Sequence, residues 1–414
     1  HRFIRDVLPF TLTNAQQKAI ADCIKDTQSG VQMNRLIQGD VGSGKTVVAI
    51  AVMLHALDNG YQSAFMAPTE ILAEQHYANL KKYLDPLGVQ VRLVIGGQSK
   101  ALREEILADL IEGRAHVAVG THALIEEKVQ FQRLGMAVVD EQHRFGVLQR
   151  AEMFSKGEHP HMLLMTATPI PRSLAMTLYG DLDVSVMNER PAGRKPIKTT
   201  LRTEKRRGEV YEFVKAQLRE GRQCYVVYPL VEESEKLDLK DAENGYHELQ
   251  ELFRPYRVDL IHGRMLPYEK DEAMDRFKRG ETDILVATTV IEVGVDVPNA
   301  TVMIIEHAER FGLSQLHQLR GRVGRGGDQS YCILMADYKR SQEAEQRLEA
   351  MVATDDGFKI SEFDLKLRGA GDFFGTKQSG VPDLKIADIT QDLEILMHAR
   401  EAAFELVKRD PHLR

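Results

Sequence analysis

The sequence predicts an α/β protein in which two parallel sheets, each covered by helices, are followed by a smaller helical and glycine-rich segment. Short apolar runs alternate with longer helical stretches along most of the chain. The runs are continuously apolar, as expected of parallel strands buried on both faces. They fall into two sets on either side of a proline- and cation-containing break, which points to two α/β units.

The first set of candidate strands is Arg35–Gln38, Ser63–Ala67, Val91–Ile95, Val117–Val119, Ala137–Val139 and Met162–Met165. The second is Cys224–Tyr228, Val258–Ile261, Ile284–Ala287, Val302–Ile305 and Cys332–Met335. Between them, Asn188–Thr200 holds two prolines and one glycine among several cations and reads as a hinge linker. Domains are therefore expected at residues 1–190, 191–338 and 339–414. Cations continue at Arg202, Lys205, Arg206 and Arg207. A solvated helix start is the plain reading, and a basic lip beside a nucleic-acid track is the sharper one. Past Asp337 the strand pattern stops. Lys339–Ala353 reads as a charged amphipathic helix, Arg368–Gly380 as a glycine-rich segment, and about Gln391 to Val407 as a last helix.

The 414 residues are 43% hydrophobic and 28% charged, the balance of a soluble globular protein. No apolar run approaches the ~20 residues that span a bilayer. The first residues, His-Arg-Phe-Ile-Arg-Asp, contain neither an initiator Met nor the apolar core of a signal peptide, so a fragment or processed product is expected. The net charge of -7 argues against a generic nucleic-acid coat protein, yet leaves room for a motor that grips phosphates with local donors. Cys23, Cys224 and Cys332 are far apart and form no CxxC pair, so they read as small core hydrophobes in a reducing compartment.

Gly39-Asp40-Val41-Gly42-Ser43-Gly44-Lys45-Thr46 fits the full GxxxxGK[ST] phosphate loop, between a short strand and a helical run. Backbone N–H groups of such a turn wrap phosphate at a helix N-terminus. Lys45 would reach the β- and γ-phosphates of ATP, and Thr46 would hold Mg²⁺. Asp140-Glu141 follows the apolar run Met136–Val139. Asp140 would bind Mg²⁺ and Glu141 would polarise the attacking water as general base. Adjacent acids after a strand are weak evidence alone; the phosphate loop upstream gives them meaning. The Gln16 amide can pair with adenine N6 and N7, although Thr13-Asn14 by itself reads as a helix cap with Gln16 in the first turn.

Gln315 to Gly326 is the other strong signal. Arg322 and Arg325, three apart and expected on the last helical turn before glycines, can aim guanidiniums at the γ-phosphate, as arginine fingers do. In Ile284–Pro298, Thr289 is a candidate contact to a track phosphate, and Gly294 with Asp296 a candidate nucleotide sensor. His262, after another strand, is a backbone-contact candidate that alone would more often be structural.

These elements, in this order, resemble a superfamily 2 helicase, which implies two RecA-like P-loop NTPase lobes. Thr166 and Thr168 of the Thr-Ala-Thr-Pro run would link the ATP site to the track, and Pro68-Thr69 and Thr121-His122 match strand-contacting motifs. The resemblance extends to the RecG family of bacterial ATP-dependent DNA helicases, through the phosphate loop, Met66–His76, Asp140–Gly146, Ala287–Ala300 and Arg320–Gly326. By that resemblance Gln318 joins the catalytic candidates, His143 the nucleic-acid and coupling candidates, and Arg368 and Gln378 become the coupling residues of a translocation segment. It implies action on branched DNA (stalled forks and Holliday junctions), with single-stranded DNA-binding protein as a candidate partner, no membrane, and a cytoplasmic monomer. The chain begins just before the Gln16 motif, so the motor portion without the family's N-terminal wedge domain is expected. Three alternatives stay open: a transcription-repair coupling factor relative, against which Gln142 and Gln149 speak; an RNA helicase; and a binding module without activity, which the intact Lys45, Glu141 and arginines disfavour.

Overall fold

The computed structural model describes residues 2–141, 156–157, 159–167, 182–189, 195–230, 235–289, 297–373 and 392–410. His143, Thr168, Gly294, Asp296 and Gln378, with Gln142 and Gln149, lie outside the described residues, and Arg368 is described only in its backbone.

The first sheet has the order β3-β4-β2-β5-β6-β1-β7, with every pairing parallel. Its strands are β1 (Asn34–Gly39), β2 (Gln62–Met66), β3 (Val91–Val94), β4 (Val117–Gly120), β5 (Leu134–Val139), β6 (His161–Thr166) and β7 (Asp183–Met187). Parallel neighbours need crossovers, and helices supply them: α1 (Asn14–Thr27) enters the sheet, α2 (Lys45–Asp58) joins β1 to β2, α3 (Glu70–Leu84) joins β2 to β3, and α4 (Lys100–Ile111) joins β3 to β4. Thr13, Thr69 and Ser99 cap three of these helices with their hydroxyls.

The apolar runs are explained by burial on both faces. Ile37, Phe65, Val119, Val138 and Leu163 enter one core, while their neighbours Leu36, Ala64, Ala118, Val139 and Leu164 enter the other. A strand that alternates between two cores has no polar face to show.

The second sheet repeats the design in the order β10-β11-β9-β12-β13-β8, again parallel throughout. Its strands are β8 (Lys198–Arg202), β9 (Gln223–Val227), β10 (Val258–Ile261), β11 (Ile284–Ala287), β12 (Ala300–Ile305) and β13 (Tyr331–Met335). The helices around it are α5 (Arg207–Arg219), α6 (Glu235–Leu252), α7 (Pro267–Lys278) and α8 (Leu313–Arg320). Beyond the sheet come α9 (Gln342–Ala353), α10 (Gly357–Phe373) and α11 (Leu393–Arg409). Leu348, Met351 and Ile360 pack into the same core as Leu316 and Leu319, so α9 and α10 are fastened to the second sheet. The three cysteines are buried and free, and burial pushes the Cys23 and Cys332 thiols up to about 12.

The structure corrects the sequence reading in three places. The strands β7 and β8 were not expected: both lie at sheet edges, where one neighbour is missing and polar residues are tolerated. Lys198–Thr200, assigned to the hinge, pairs with Tyr331–Ile333 and is strand. Arg368–Phe373, read as part of a glycine-rich segment, continues the helix α10.

Arg207 does not belong to a basic lip. Its guanidinium grips Glu306 in a bidentate pair at 2.7 and 2.9 Å, and Glu306 is 3% exposed. Glu204 holds the same guanidinium from outside at 2.5 and 2.7 Å. The Glu306→Ala protein is expected to lose about 3 kcal/mol, because a half-removed buried ion pair strands its partner. Urea unfolding checks this, and a midpoint unchanged from the parent would show that Glu204 alone suffices for Arg207.

Candidate nucleotide cleft

The site lies at the carboxyl edge of the first sheet, where ligands of open parallel sheets gather. Three adjacent strands build it. β1 ends at Gly39 and turns into the phosphate loop; β5 ends before Asp140 and Glu141; β6 lies between them, with Gln38 opposite Thr166 and Val139 opposite Leu164. Thr166 is buried, and the Ala167 N–H donates to Glu141 Oε2 at 3.4 Å. The β6 end thus touches the β5 acid directly.

The loop is tightly wound. Gly44 has φ +87°, the left-handed region, and begins α2. A Cβ on Gly39 would come within 2.6 Å of Ser43 Oγ and 2.9 Å of Met187 Cβ, so only glycine fits between the loop and β7. The Ser43 hydroxyl is buried with no partner among the described residues. Lys45 is 8% exposed and donates to the carbonyls of Gly39 at 2.6 Å and Asp40 at 3.0 Å. Burial lowers its affinity for a proton, opposed by the charges of Glu141, Asp140 and Asp40. Thr46 follows in the first turn of α2.

The two acids differ in setting. Burial would raise Asp140, but His76 outweighs it and holds the carboxyl below the usual range: His76 Nε2 lies 2.8 Å from Asp140 Oδ2. Glu141 is pushed up by burial and by the Asp140 charge. Its φ of 48° is unusual for a non-glycine residue and costs about 1–3 kcal/mol.

Gln16 is buried and already committed at both ends. Its Oε1 accepts from Thr13 N at 2.9 Å, closing a capping box, and its Nε2 donates to Ser43 O at 2.9 Å. The amide therefore braces the phosphate loop against α1.

The second sheet contributes the facing wall. α8 ends at Arg320, so Arg322 and Arg325 stand beyond the helix and not on its last turn as expected. The reason is Gly321 at the C-cap, followed by Gly324 at φ +77°. From there the Arg322 charge reaches Glu141 and the Arg325 charge reaches Lys45, each shifting the group it faces. Arg325 Nε donates to Gly321 O at 3.1 Å. Gln318 is buried on α8. A cavity of about 280 Å³ separates the walls, lined by Asp40, Val41, Ser43, His317, Gly321 and Phe358 among others.

The remaining candidates are spread along the carboxyl edges of both sheets. Thr69 caps α3, accepting from Leu72 N at 3.4 Å, with Pro68 just before it. Thr121 follows β4, its hydroxyl buried without a partner among the described residues. His262 follows β10 half-buried, and burial lowers its proton affinity. Thr289 follows β11. None of these touches the cleft through a described contact. Sequence reasoning assigned no role to His76, His317, Arg320 or Gly357, which prove to be central contacts. The i, i+3 spacing of His317 and Arg320 was the available signal, since it puts both on one helix face.

Family models match residues 13–177 as DEAD/DEAH box helicase, 207–327 as the helicase conserved C-terminal domain, and 354–414 as ATP-dependent DNA helicase RecG, domain 3, C-terminal. The chain is 55% identical to an ATP-dependent DNA helicase RecG of Synechocystis, over 99% of this chain and 49% of the relative. It is 51% identical to that of Thermotoga maritima, over 96% and 51%. The chain thus spans about half the length of these curated relatives. A solved structure of RecG bound to a three-way DNA junction superposes with TM-score 0.80 at 47% identity, covering 95% of this chain and 51% of that one. Dbp5 of S. cerevisiae, bound to RNA and ADP BeF3, shares the fold at TM-score 0.59 and 17% identity.

If the Gln16 amide braces the loop, Gln16→Ala is expected to lower stability by about 1–3 kcal/mol in the absence of nucleotide, because a buried carbonyl and a partly buried N–H lose their partners. Urea unfolding of the nucleotide-free protein tests this. An unchanged midpoint would leave the amide with no bracing role.

Proposed function

The chain belongs to the RecG family of ATP-dependent DNA helicases, and from that membership we propose that it is an ATP-driven motor that moves on duplex DNA and acts on branched DNA. The observation that carries the reading is the two-sided cleft: Lys45 and Glu141 on the first sheet face the charges of Arg322 and Arg325 from the second. Relatives near half identity over nearly the whole chain support DNA as the track, including one solved on a three-way junction. The RNA-bound neighbours are under a quarter identical and support the fold alone. The division into residues 1–190, 191–338 and 339–414 belongs to the same proposal, with β7 ending at Met187 and β8 beginning at Lys198.

The chain's own groups suit phosphoryl transfer. Backbone N–H groups of Gly42 to Lys45 at the N-terminus of α2, with the buried Ser43 hydroxyl, form a cradle for phosphate oxygens. Lys45 would exchange its two loop carbonyls for β- and γ-phosphate oxygens, which as anions are stronger acceptors. Mg²⁺, when bound, would neutralise negative charge on the β- and γ-phosphates. Thr46 and Asp140 fit that ion, because Mg²⁺ needs only one or two protein oxygens beside those of the substrate. Glu141, its proton affinity raised by burial, would take the proton of the attacking water. Arg322 and Arg325 would stabilise the charge that develops on the transferring group.

On this reading closure of the cleft moves the second sheet's contacts, Thr289 and His262, along the DNA relative to Thr69, Thr121 and the β6 end. Arg368 and Gln378 are proposed to turn that closure into movement. The role in recombination, repair and fork regression, the cytoplasmic location, the monomeric state and single-stranded DNA-binding protein as partner are parts of the same proposal.

ATP hydrolysis should be measured with duplex, forked and single-stranded DNA and with RNA. Stimulation by duplex or branched DNA that vanishes in Lys45→Ala is expected. Stimulation by RNA alone would favour an RNA motor, and none by any nucleic acid would sink the reading. Separately, Arg322→Ala is expected to slow DNA-stimulated turnover by about 10³–10⁵-fold, the range of other arginine fingers. Parental turnover in this variant would remove Arg322 from the catalytic set.

A further inference from the structure

Asp40 is bonded at both of its ends. Its backbone carbonyl accepts from Lys45 Nζ at 3.0 Å, inside the phosphate loop. Its carboxylate faces the other way, across the cleft: Oδ2 accepts from Gly357 N at 3.3 Å, and Oδ1 lies 3.1 Å from His317 Nε2. Gly357 is the first residue of α10. The donors at that helix start are divided between two acids, since Phe358 N and Lys359 N go to Asp356 at 2.9 and 3.4 Å, which leaves the Gly357 N–H for Asp40. Side chains are excluded at position 357, where a Cβ would collide with the Asp40 carboxylate and the His317 ring. The position is glycine because an acid from the phosphate loop has to reach a helix backbone there.

A second tie runs in parallel. The His317 ring Nδ1 lies 3.1 Å from Arg320 Nη2, and Arg320 Nη1 donates to Met351 O at 2.9 Å and Thr354 O at 2.8 Å. Those carbonyls lie in and just after the last turn of α9, at the α9–α10 junction. Asp40 therefore holds the junction twice, directly and through His317 and Arg320. Burial pushes its carboxyl up, but His317, the Gly357 N–H and Lys45 outweigh this and keep it ionised.

We propose that Asp40 is the positioning residue through which nucleotide in the phosphate loop acts on α10. The proposal rests on the reading of the cleft as an ATP site. A phosphate that engages Lys45 takes the donor from the Asp40 carbonyl and brings negative charge beside the Asp40 carboxylate. Both effects shift the residue, and its far end is the first N–H of a helix. At 1.5 Å per residue the 17 residues of α10 make a lever about 25 Å long, whose last six residues, from Arg368, belong to the proposed coupling segment. The nucleotide state thus has a route to that segment through the Asp40 contacts that cross the cleft.

The test is amide hydrogen exchange over residues 351–366 of the whole chain, with and without Mg²⁺ and AMP-PNP, while a fluorescent ADP analogue reports binding. Exchange at residues 357–361 of the parent is expected to change by about fivefold or more on adding nucleotide. Gly357→Ala is expected to bind nucleotide within about threefold of the parent and to show no exchange response. Asp40→Asn keeps an acceptor for the Gly357 N–H but not the charge and retains a reduced response, whereas Asp40→Ala loses it; this pair also serves if Gly357→Ala fails to fold. Parental exchange that ignores nucleotide while the analogue binds would overturn the proposal and leave the ATP site standing. A response that persists in Asp40→Ala would overturn it equally. A parent that binds no analogue would overturn the ATP reading and this proposal with it.

Discussion

The Lys45 ammonium sits in a cleft largely closed to water, and much of the surrounding structure can be understood as the means of keeping it charged there. An uncompensated buried charge costs several kcal/mol. Here two loop carbonyls and three carboxylates, Asp40, Asp140 and Glu141, surround it. The carboxylates come from the ends of β1 and β5, which brackets β6 between them. The sheet order is thus what assembles the charge cluster. Parallel strands with both faces buried give that order its rigidity, because no strand can slip without exchanging its two cores. The compensation is also incomplete by design: burial still lowers the proton affinity of Lys45. An anion entering the loop relieves that imbalance.

The central strands were legible in the sequence, as were the edge strands β3 and β10, whereas the edge strands β7 and β8 were not. A central strand such as Ile284–Ala287 must be apolar throughout, so it stands out as a run. At the edge, Lys198-Thr-Thr-Leu-Arg202 needs partners on one side only and can be polar at most positions. Its lysine and prolines upstream then resemble a linker. The helix α10 was hidden differently: glycines at 369 and 371 suggest a loop by propensity alone. Their side-chain-free positions follow a helix anchored at its start by Asp356 and packed through Ile360 and Leu365. Tertiary anchoring outweighs a propensity cost of about 1 kcal/mol per glycine.

The phosphate loop was readable because all its chemistry is local: eight consecutive residues carry the turn, the lysine and the hydroxyl. The contacts that were missed at Asp140 and Asp40 span long separations. His76 meets Asp140 across 64 positions, His317 meets Asp40 across 277, and Gly357 meets Asp40 across 317. Residue type alone gives little warning of such pairs. A histidine on a helix is most often structural, and a glycine before a helix is most often a cap. Only the fold reveals that one acid of the phosphate loop collects two of them.

The run from Gln315 to Gly326 shows how one short segment serves two duties. On α8, His317 and Arg320 turn inwards, and Arg320 is 2% exposed, bonded to carbonyls at the α9–α10 junction. After Gly321 the chain changes direction, and Arg322 and Arg325 bring charge to the opposite wall of the cleft. A continuous helix would rotate residues two apart by about 200° and separate these duties around its axis. Breaking the helix at Gly321 instead lets Arg320 serve the α9–α10 junction while Arg322 and Arg325 bring their charge to the cleft. A Cβ at Gly321 would come within 2.9 Å of Val41, so the chain also runs close to the phosphate loop at the break. Arg320 and the proposed fingers Arg322 and Arg325 therefore share a fixed frame, and any motion of α8 relative to the phosphate loop is felt by the charges and by the C-terminal helices together.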